Sequence, residues 1–145
     1  MYTLITGVAG FIGSHLAEAL LAAGHTVIGL DAFTDYYPRW MKERNLQGLL
    51  GRPGFRLEVG DLVALDLSAL LVGVDWVFHQ AAQAGVRASW GSSFDVYVRD
   101  NVIATQRLLE AAKGTPVQKV IYASSSSVYG DAERFPTPED TLPRP

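Results

Sequence analysis

The sequence predicts an α/β fold with an open, doubly wound parallel sheet. Three observations support this: short apolar runs alternate with helical patterns as far as residue 125, several apolar runs are continuous, and their spacing suits crossover connections. A chain of 145 residues, 48% of them apolar and 19% charged, is long enough to bury one core. We therefore expect one domain over 1–145.

The first unit of this alternation covers residues 1–31. YTLIT (2–6) is a β-type run, and FIGSHLAEALLAAG (11–24) has apolar residues at helical spacing and closes on Gly24. HTVIGLD (25–31) returns to strand. This length suits a right-handed crossover between two parallel strands.

The next elements continue the pattern. We predict helices over 39–50 and 63–71, and strands over 55–60 and 75–80.

The last predicted elements are the longest helix and a fifth strand. The helix covers 93–114 and stops at Gly114-Thr115-Pro116, and the strand VQKVIYASS covers 117–125. Residues 135–145 contain four prolines and are predicted to be a loop.

Composition and charge exclude several classes of protein. A net charge of −3, with no run of basic residues, gives no electrostatic footprint for nucleic acid or an anionic membrane. The absence of cysteine excludes disulfides, thiolate zinc sites and a cysteine nucleophile. Since no basic signal region or long apolar run is present, we expect a cytoplasmic protein with neither membrane nor nucleic-acid partners.

The stretch TGVAGFIGSHL, between the first strand and the first helix, has glycines at intervals of three. Gly7 allows a tight turn, Gly10 lets a pyrophosphate approach the backbone, and Gly13 allows close packing of the helix on the sheet. The phosphates would face the N–H groups at the helix start. The alternative is that the three glycines serve packing alone.

Asp31 ends the second strand, close to the offset of about 20 residues expected for a ribose-binding carboxylate. A carboxylate there accepts hydrogen bonds from both ribose hydroxyls and repels a 2′-phosphate, which favours NAD over NADP. The alternative is a solvated strand end.

The G-x-x-G-x-x-G spacing after Thr6 departs from the G-x-G-x-x-G of many dehydrogenases. It resembles the short-chain dehydrogenase/reductase superfamily, in particular its extended branch of NAD-dependent sugar epimerases and dehydratases. The resemblance covers essentially the whole chain and implies a Rossmann-type doubly wound parallel sheet, truncated after about the fifth strand, with NAD as cofactor. AAQAGVR-S and DAFTDYY are most similar to the UDP-glucuronate 4-epimerases, with UDP-glucose 4-epimerases and UDP-glucuronate decarboxylases nearby.

Further cofactor contacts are implied by the resemblance. Asp61 and Leu62 match the segment that binds adenine, although Asp61 is also a candidate N-cap for the third helix. Ala81 and Ala82 match the small residues along the ribose and nicotinamide, with plain core packing as the alternative. Asn101 matches the family asparagine on the long helix, with a helix-internal hydrogen bond as the alternative.

Two residues after the fourth strand match the mouth of the family's substrate pocket. Arg87 would meet a carboxylate or diphosphate there, beside Ser89, or is a surface charge. His79, within the strand, is expected to be a satisfied core residue rather than a base.

The motif YASSSSVYGD is the most specific one downstream. The family hydroxyl three residues before Val-Tyr-Gly maps onto Ser125, which would bond the sugar O4 and share its proton with a catalytic tyrosine. Ser124 lies at the same strand end, and Ser126 occupies the place where dehydratases carry an acid. The chain therefore resembles an epimerase more than a 4,6-dehydratase, although a serine run also suits a turn.

The family's Tyr-x-x-x-Lys pair does not occur, since none of the six tyrosines has a lysine four places on. The resemblance places that pair, and the UDP-sugar domain, beyond residue 145. We therefore expect the N-terminal, cofactor-binding part of a UDP-glucuronate or UDP-glucose 4-epimerase, inactive by itself and a homodimer when full-length. The alternatives are a UDP-glucuronate decarboxylase, a dTDP-glucose 4,6-dehydratase, or a non-catalytic dinucleotide-binding module.

The expected site residues fall into two sets, with no metal ligand among them. The substrate set is Arg87, Ser89, Ser125 and Ser126, and the cofactor set is Gly7, Gly10, Phe11, Ile12, Gly13, Asp31, Asp61, Leu62, Ala81, Ala82, Asn101 and Ser124.

Overall fold

A computed structural model describes residues 1–145, except for the side chain of Ser126. Its centre is a five-stranded, all-parallel sheet in the order β3-β2-β1-β4-β5, which confirms the predicted fold class. The strands are β1 (Tyr2–Thr6), β2 (Thr26–Asp31), β3 (Phe55–Val59), β4 (Trp76–His79) and β5 (Lys119–Tyr122).

Helical segments connect the strands. They are α1 (Phe11–Ala22), α2 (Arg39–Leu46), α3 (Leu67–Leu70), α4 (Phe94–Tyr97) and α5 (Ala104–Ala112), with a π-helical segment (Val98–Ile103) between the last two and single 3₁₀ turns at Gly91–Ser93 and Ser126–Tyr129.

The sheet order creates a switch point beside β1. The strands β2 and β3 extend from one edge of β1, and β4 and β5 extend from the other. Thr6 pairs in register with His79, so β1 and β4 end side by side. In sheets of this kind, ligands bind beyond the carboxyl ends of the strands, where the winding changes direction.

Two apolar clusters cover the faces of the sheet. Leu4 and Leu108 belong to one cluster, and the adjacent Ile5 belongs to the other with Leu46. Because successive side chains of a strand point to opposite faces, a strand covered on both faces needs continuous apolar residues. This explains why the apolar runs of the sequence do not alternate.

Several elements are shorter than predicted. The first helix ends at Ala22, because Gly24 takes a φ of 82° and closes its last turn. The helix predicted over 63–71 is limited to Leu67–Leu70, since residues 61–65 form a turn on the Asp61 carbonyl. The fifth strand ends at Tyr122.

The N-cap of α3 is Asp66, whose carboxylate accepts hydrogen bonds from the Ser68 and Ala69 N–H groups. The alternative in which Asp61 caps this helix is therefore wrong. The predicted long helix is present, but its middle part is π-helical.

Candidate functional site

A cleft of about 420 Å³ opens at the carboxyl ends of the strands. Its walls come from the β1–α1 turn, the ends of β2 and β3, the segment after β4, and the π-helical segment. Ten of the predicted cofactor residues line it together: Gly7, Gly10, Phe11, Ile12, Gly13, Asp31, Asp61, Leu62, Ala81 and Ala82.

Two of the three glycines are required by contacts within the chain. Gly7 has a φ of 72°, and a Cβ there would lie 2.8 Å from the Ala81 nitrogen. A Cβ at Gly13 would overlap the Gly7 carbonyl. Packing within the chain therefore explains why both residues are glycine, and Gly13 packs against the β1–α1 turn.

Gly10 has a different environment. A Cβ at this position would approach the Gly7 carbonyl oxygen at 3.1 Å, and its next neighbour would be the Tyr37 hydroxyl at 4.0 Å. Since Gly10 lines the cleft, its missing side chain leaves room for a bound group.

The start of α1 offers hydrogen-bond donors to the cleft. Gly10 is the N-cap and gives no side-chain cap. Helix geometry leaves the first N–H groups without intrahelical acceptors, and the residues that carry them, Phe11, Ile12 and Gly13, line the cleft. The arrangement suits an anion, because those N–H groups and the helix dipole are positive there.

Asp31 is held in one orientation. Only 8% of it is exposed, and its two carboxylate oxygens accept hydrogen bonds from Ala9 N–H (3.0 Å) and Phe33 N–H (2.8 Å). The alternative of a solvated strand end is therefore wrong.

Lys42 is a residue that the sequence analysis missed. Its Nζ lies 3.5 Å from Asp31 Oδ1, it is 5% exposed, and it lines the cleft. Lys42 lies at helical spacing from the buried Leu46 and Leu49, within the apolar stripe of the predicted helix. A lysine in such a stripe is unusual, so this position could have been recognised from the sequence.

The β2–α2 loop forms the wall beside this pair. Tyr37 donates a hydrogen bond to the Ala9 carbonyl (3.4 Å), which also accepts from Asn45 Nδ2 (2.9 Å). Burial and, to a smaller extent, the Asp31 carboxylate raise the pKa of Tyr37, so the phenol stays protonated.

Asp61, which follows the neighbouring strand β3, accepts hydrogen bonds from Val63 N–H (2.8 Å) and from the Arg99 guanidinium, which also contacts Asp100. Burial favours a higher pKa for Asp61, but the two hydrogen bonds and the Arg99 charge outweigh it and lower the pKa. Arg99 lines the cleft and is a second residue that the sequence analysis missed.

His79 is buried behind the cleft floor, as expected for a satisfied core histidine. Its Nδ1 lies 2.7 Å from Thr6 Oγ1 and its Nε2 lies 2.9 Å from Thr105 Oγ1. Thr105 donates its own proton to the Asn101 carbonyl (2.7 Å), so it must accept from Nε2–H. Nδ1 then accepts from Thr6, whose oxygen accepts from Ala81 N–H (3.1 Å). Burial lowers the pKa of His79, which favours this neutral form.

Asn101 is placed behind the cleft rather than on its surface. Its Oδ1 accepts from Gln83 N–H (2.8 Å), and its Nδ2 donates to the Gln83 carbonyl (3.0 Å). The alternative, in which this side chain makes a hydrogen bond within its own helix, is therefore wrong. Asn101 ties the segment after β4 to the π-helical turn.

Among the described side chains, the predicted substrate residues Arg87, Ser89 and Ser125 do not line the cleft, and neither does the predicted cofactor residue Ser124. Arg87 is exposed, and Ser89 Oγ donates to the Val86 carbonyl at 2.6 Å. Ser124 and Ser125 are exposed beyond β5, where Ser125 Oγ accepts from Ser127 N–H at 3.2 Å, and the Ser126 side chain lies outside the described residues.

Among the residues that the structure describes, no group of three or more His, Asp or Glu side chains is placed to hold a metal ion. Within that same part of the chain, every helix is too short or too polar to span a bilayer.

The parallel sheet, with its glycine turn at the switch point, defines a Rossmann-type α/β protein. The chain belongs to the NAD-dependent epimerase/dehydratase family, whose sequence model matches residues 3–145.

Similar proteins include UDP-sugar epimerases. The chain is 48% identical over 134 residues to an uncharacterized UDP-glucose epimerase, YtcB, of Bacillus subtilis, covering 92% of this chain and 42% of that protein. It is 42% identical over 144 residues to a UDP-glucose 4-epimerase of Mycolicibacterium smegmatis, covering 97% and 44%. The chain thus spans less than half the length of these curated relatives.

A solved structure of a UDP-sugar epimerase is also similar to the chain. The UDP-glucuronic acid 4-epimerase of Bacillus cereus, in complex with UDP-glucuronic acid and NAD, matches with a TM-score of 0.90 and 45% identity. The match covers all of this chain, 100%, and 46% of the other.

Proposed function

We propose that the cleft binds NAD, with the pyrophosphate against the start of α1. The observation that carries this proposal is the space left by Gly10 beside helix N–H groups that have no intrahelical acceptor. A pyrophosphate matches that site in charge and in its need for backbone donors. The presence of NAD in complexes of the similar UDP-glucuronic acid 4-epimerase of Bacillus cereus supports NAD as the ligand.

The remaining residues suit the other parts of the cofactor. Asp31 Oδ2 accepts one backbone hydrogen bond and keeps a lone pair for a ribose hydroxyl, while Oδ1 accepts from Phe33 N–H and lies 3.5 Å from Lys42 Nζ. Asp61 and Leu62 would contact adenine, while Ala81 and Ala82 would lie along the nicotinamide side. Asn101 would act indirectly, by holding Gln83 in place.

For the whole protein we propose a UDP-sugar 4-epimerase acting on UDP-glucuronate or UDP-glucose. When bound, NAD would supply the reversible hydride-transfer chemistry that a change of configuration at C4 of the sugar needs. Ser125 would hydrogen-bond the sugar O4, while Arg87, Ser89 and Ser126 would contact the rest of the substrate. The relatives support this proposal, because those named above are UDP-glucose or UDP-glucuronic acid epimerases.

Residues 1–145 would then be the N-terminal, cofactor-binding part of that enzyme. The catalytic Tyr-x-x-x-Lys pair and the substrate domain would come from sequence that follows. The partial coverage of the relatives supports this division. We expect the whole protein to be a cytoplasmic homodimer.

Calorimetric titration of the 145-residue chain with NAD tests the cofactor site. We expect binding, and we expect Asp31→Ala to weaken it about tenfold because a charge-assisted hydrogen bond to the ribose is lost. Asp35→Ala, which removes an exposed carboxylate of the same loop, is the matched control. Equal affinity of the Asp31 variant and wild type would contradict the ribose assignment.

Turnover of UDP-glucuronate and UDP-glucose tests the reaction. The 145-residue chain should convert neither, whereas the whole protein should epimerise at least one. In the whole protein, Ser125→Ala should lower kcat by a factor of about 10² to 10⁴, and Ser68→Ala, a change at an exposed residue of α3, should not. An unchanged kcat for Ser125→Ala would remove it from the catalytic residues.

A further inference from the structure

The ribose side of the cleft contains a buried ion pair that the NAD assignment does not require. Lys42 Nζ lies 3.5 Å from Asp31 Oδ1 and 3.5 Å from Thr34 Oγ1. The side chains of Lys42 and Asp31 are 6% and 8% exposed, and both residues line the cleft. A bound ribose would therefore meet an ammonium group as well as a carboxylate.

The Lys42 side chain is fixed by its surroundings. Its ammonium lies 5.1 Å from the centre of the Tyr37 ring and 5.9 Å from that of the Phe33 ring, within the range of cation–π attraction. Phe33 takes a φ of 51°, unusual for a residue with a side chain, and its N–H bonds Asp31. The loop thus holds the ammonium against the carboxylate.

This arrangement changes what Asp31 does to a 2′-phosphate. An isolated carboxylate at a ribose site repels that group, but a cation 3.5 Å away offsets the repulsion, because the interior screens charges weakly. A lysine ammonium is also a point-charge binder of phosphate.

We propose that Lys42 is a specificity-determining residue of the cofactor site, which donates to the ribose hydroxyls and makes the chain tolerant of NADP. The inference rests on the proposed function, since it assumes that the ribose lies at Asp31. It assigns two opposed roles: Asp31 favours NAD, and Lys42 lowers the preference of the site for NAD over NADP.

The test compares NAD and NADP affinities of the 145-residue chain by calorimetry. We expect wild type to bind both, with NAD tighter. Lys42→Gln should weaken NADP about tenfold more than it weakens NAD, because one charge-assisted bond to the 2′-phosphate is lost. Lys42→Arg should restore the wild-type ratio. Lys113→Gln, at an exposed lysine after α5, should leave both affinities unchanged.

A second variant protects the test against misfolding, since an unpaired buried carboxylate destabilises a protein. Asp31→Asn should shift the preference towards NADP, because Lys42 is left without its counter-charge. Asp31→Asn combined with Lys42→Gln, which removes both charges, should lose that gain. Circular dichroism would verify that each variant is folded.

The possible results separate this inference from the proposal on which it rests. Binding of neither nucleotide to wild type would overturn both. A second result would overturn only the role of Lys42. In that result wild type binds NAD, and Lys42→Gln, alone or added to Asp31→Asn, leaves the preference for NAD over NADP unchanged.

Discussion

Gly7 and Gly13 belong to an apparent ligand-binding motif, but contacts within the chain explain why both residues are glycine. A side chain at either position would collide with the chain's own backbone. At Gly10 the nearest atom to an added Cβ would be the Gly7 carbonyl oxygen at 3.1 Å, a closer fit than usual but less severe than at the other two. At the scale of single residues, packing explains glycine at two positions of the motif, and Gly10 is the position to which we assign the pyrophosphate.

We predict that Gly7→Ala destabilises the domain more than Gly51→Ala. Both glycines have similar positive φ values, 72° and 77°, so each alanine costs about 1–2 kcal/mol in backbone conformation. Gly7 adds a collision with Ala81, worth about 1–3 kcal/mol more, whereas the space around Gly51 is open. Urea denaturation measures both, and equal losses would contradict the collision.

The lowered pKa of His79 predicts how the free energy of unfolding depends on pH. Burial lowers its native pKa below 6.5, so between that lower value and about pH 6.5 the unfolded chain binds a proton that the native chain does not. This contribution to the free energy of unfolding is therefore complete above about pH 6.5 and is lost as the pH falls through the native pKa.

The comparison variant is His79→Gln, measured by urea denaturation from pH 7.5 down to 5. The variant should be less stable at neutral pH and should lose less stability on acidification than wild type. Gln106→Ala, an exposed change on α5 that removes no titratable group, should keep the wild-type slope. Identical slopes for wild type and His79→Gln would show that His79 does not carry the effect.

The site residues were predictable where a local pattern marks them. The glycine spacing and the carboxylate at the end of β2 can be recognised because strand, turn and helix follow each other in the sequence. Arg99 could not be found this way, because its contact with Asp61 joins distant segments. Lys42 was overlooked because a charged residue on a helix is normally assigned to solvent.

At the scale of elements, hydrophobic periodicity predicted the order of strands and helices, but not every boundary. α3 is short because Asp66, rather than an earlier residue, supplies the side-chain cap. The π-helical segment leaves no periodic signature, because it is one turn within a long helical pattern. It carries Asn101, which bonds the segment after β4.

We predict that Asn101→Ala loosens that segment. The change removes two hydrogen bonds to Gln83, each worth about 1 kcal/mol. Amide hydrogen exchange over 81–85 should become faster, with the largest effect at Gln83. Gln106→Ala, an exposed change on α5, should leave exchange unaltered, and the same result for Asn101→Ala would show that the segment is held by other contacts.

For the whole molecule, stability depends on the two apolar clusters that cover the sheet. Leu108 is fully buried at 0% exposure in one cluster, and the neighbouring Leu109 is 48% exposed. Leu108→Ala should lower the free energy of unfolding by about 2–5 kcal/mol, and Leu109→Ala by clearly less. Chemical denaturation of both variants checks the assignment, and equal effects would contradict it.

The central place of β1 has a consequence for synthesis on the ribosome. β1 is made before both of its neighbours, because Thr3 pairs with Val27 of β2 and with Trp76 of β4. At about 5–20 residues per second, one edge of β1 stays unpaired for roughly 4–15 s after it is made. During that interval Leu4 and Ile5 lack part of their final cover. The interval before β4 becomes available is therefore the stage at which chaperones would bind this protein.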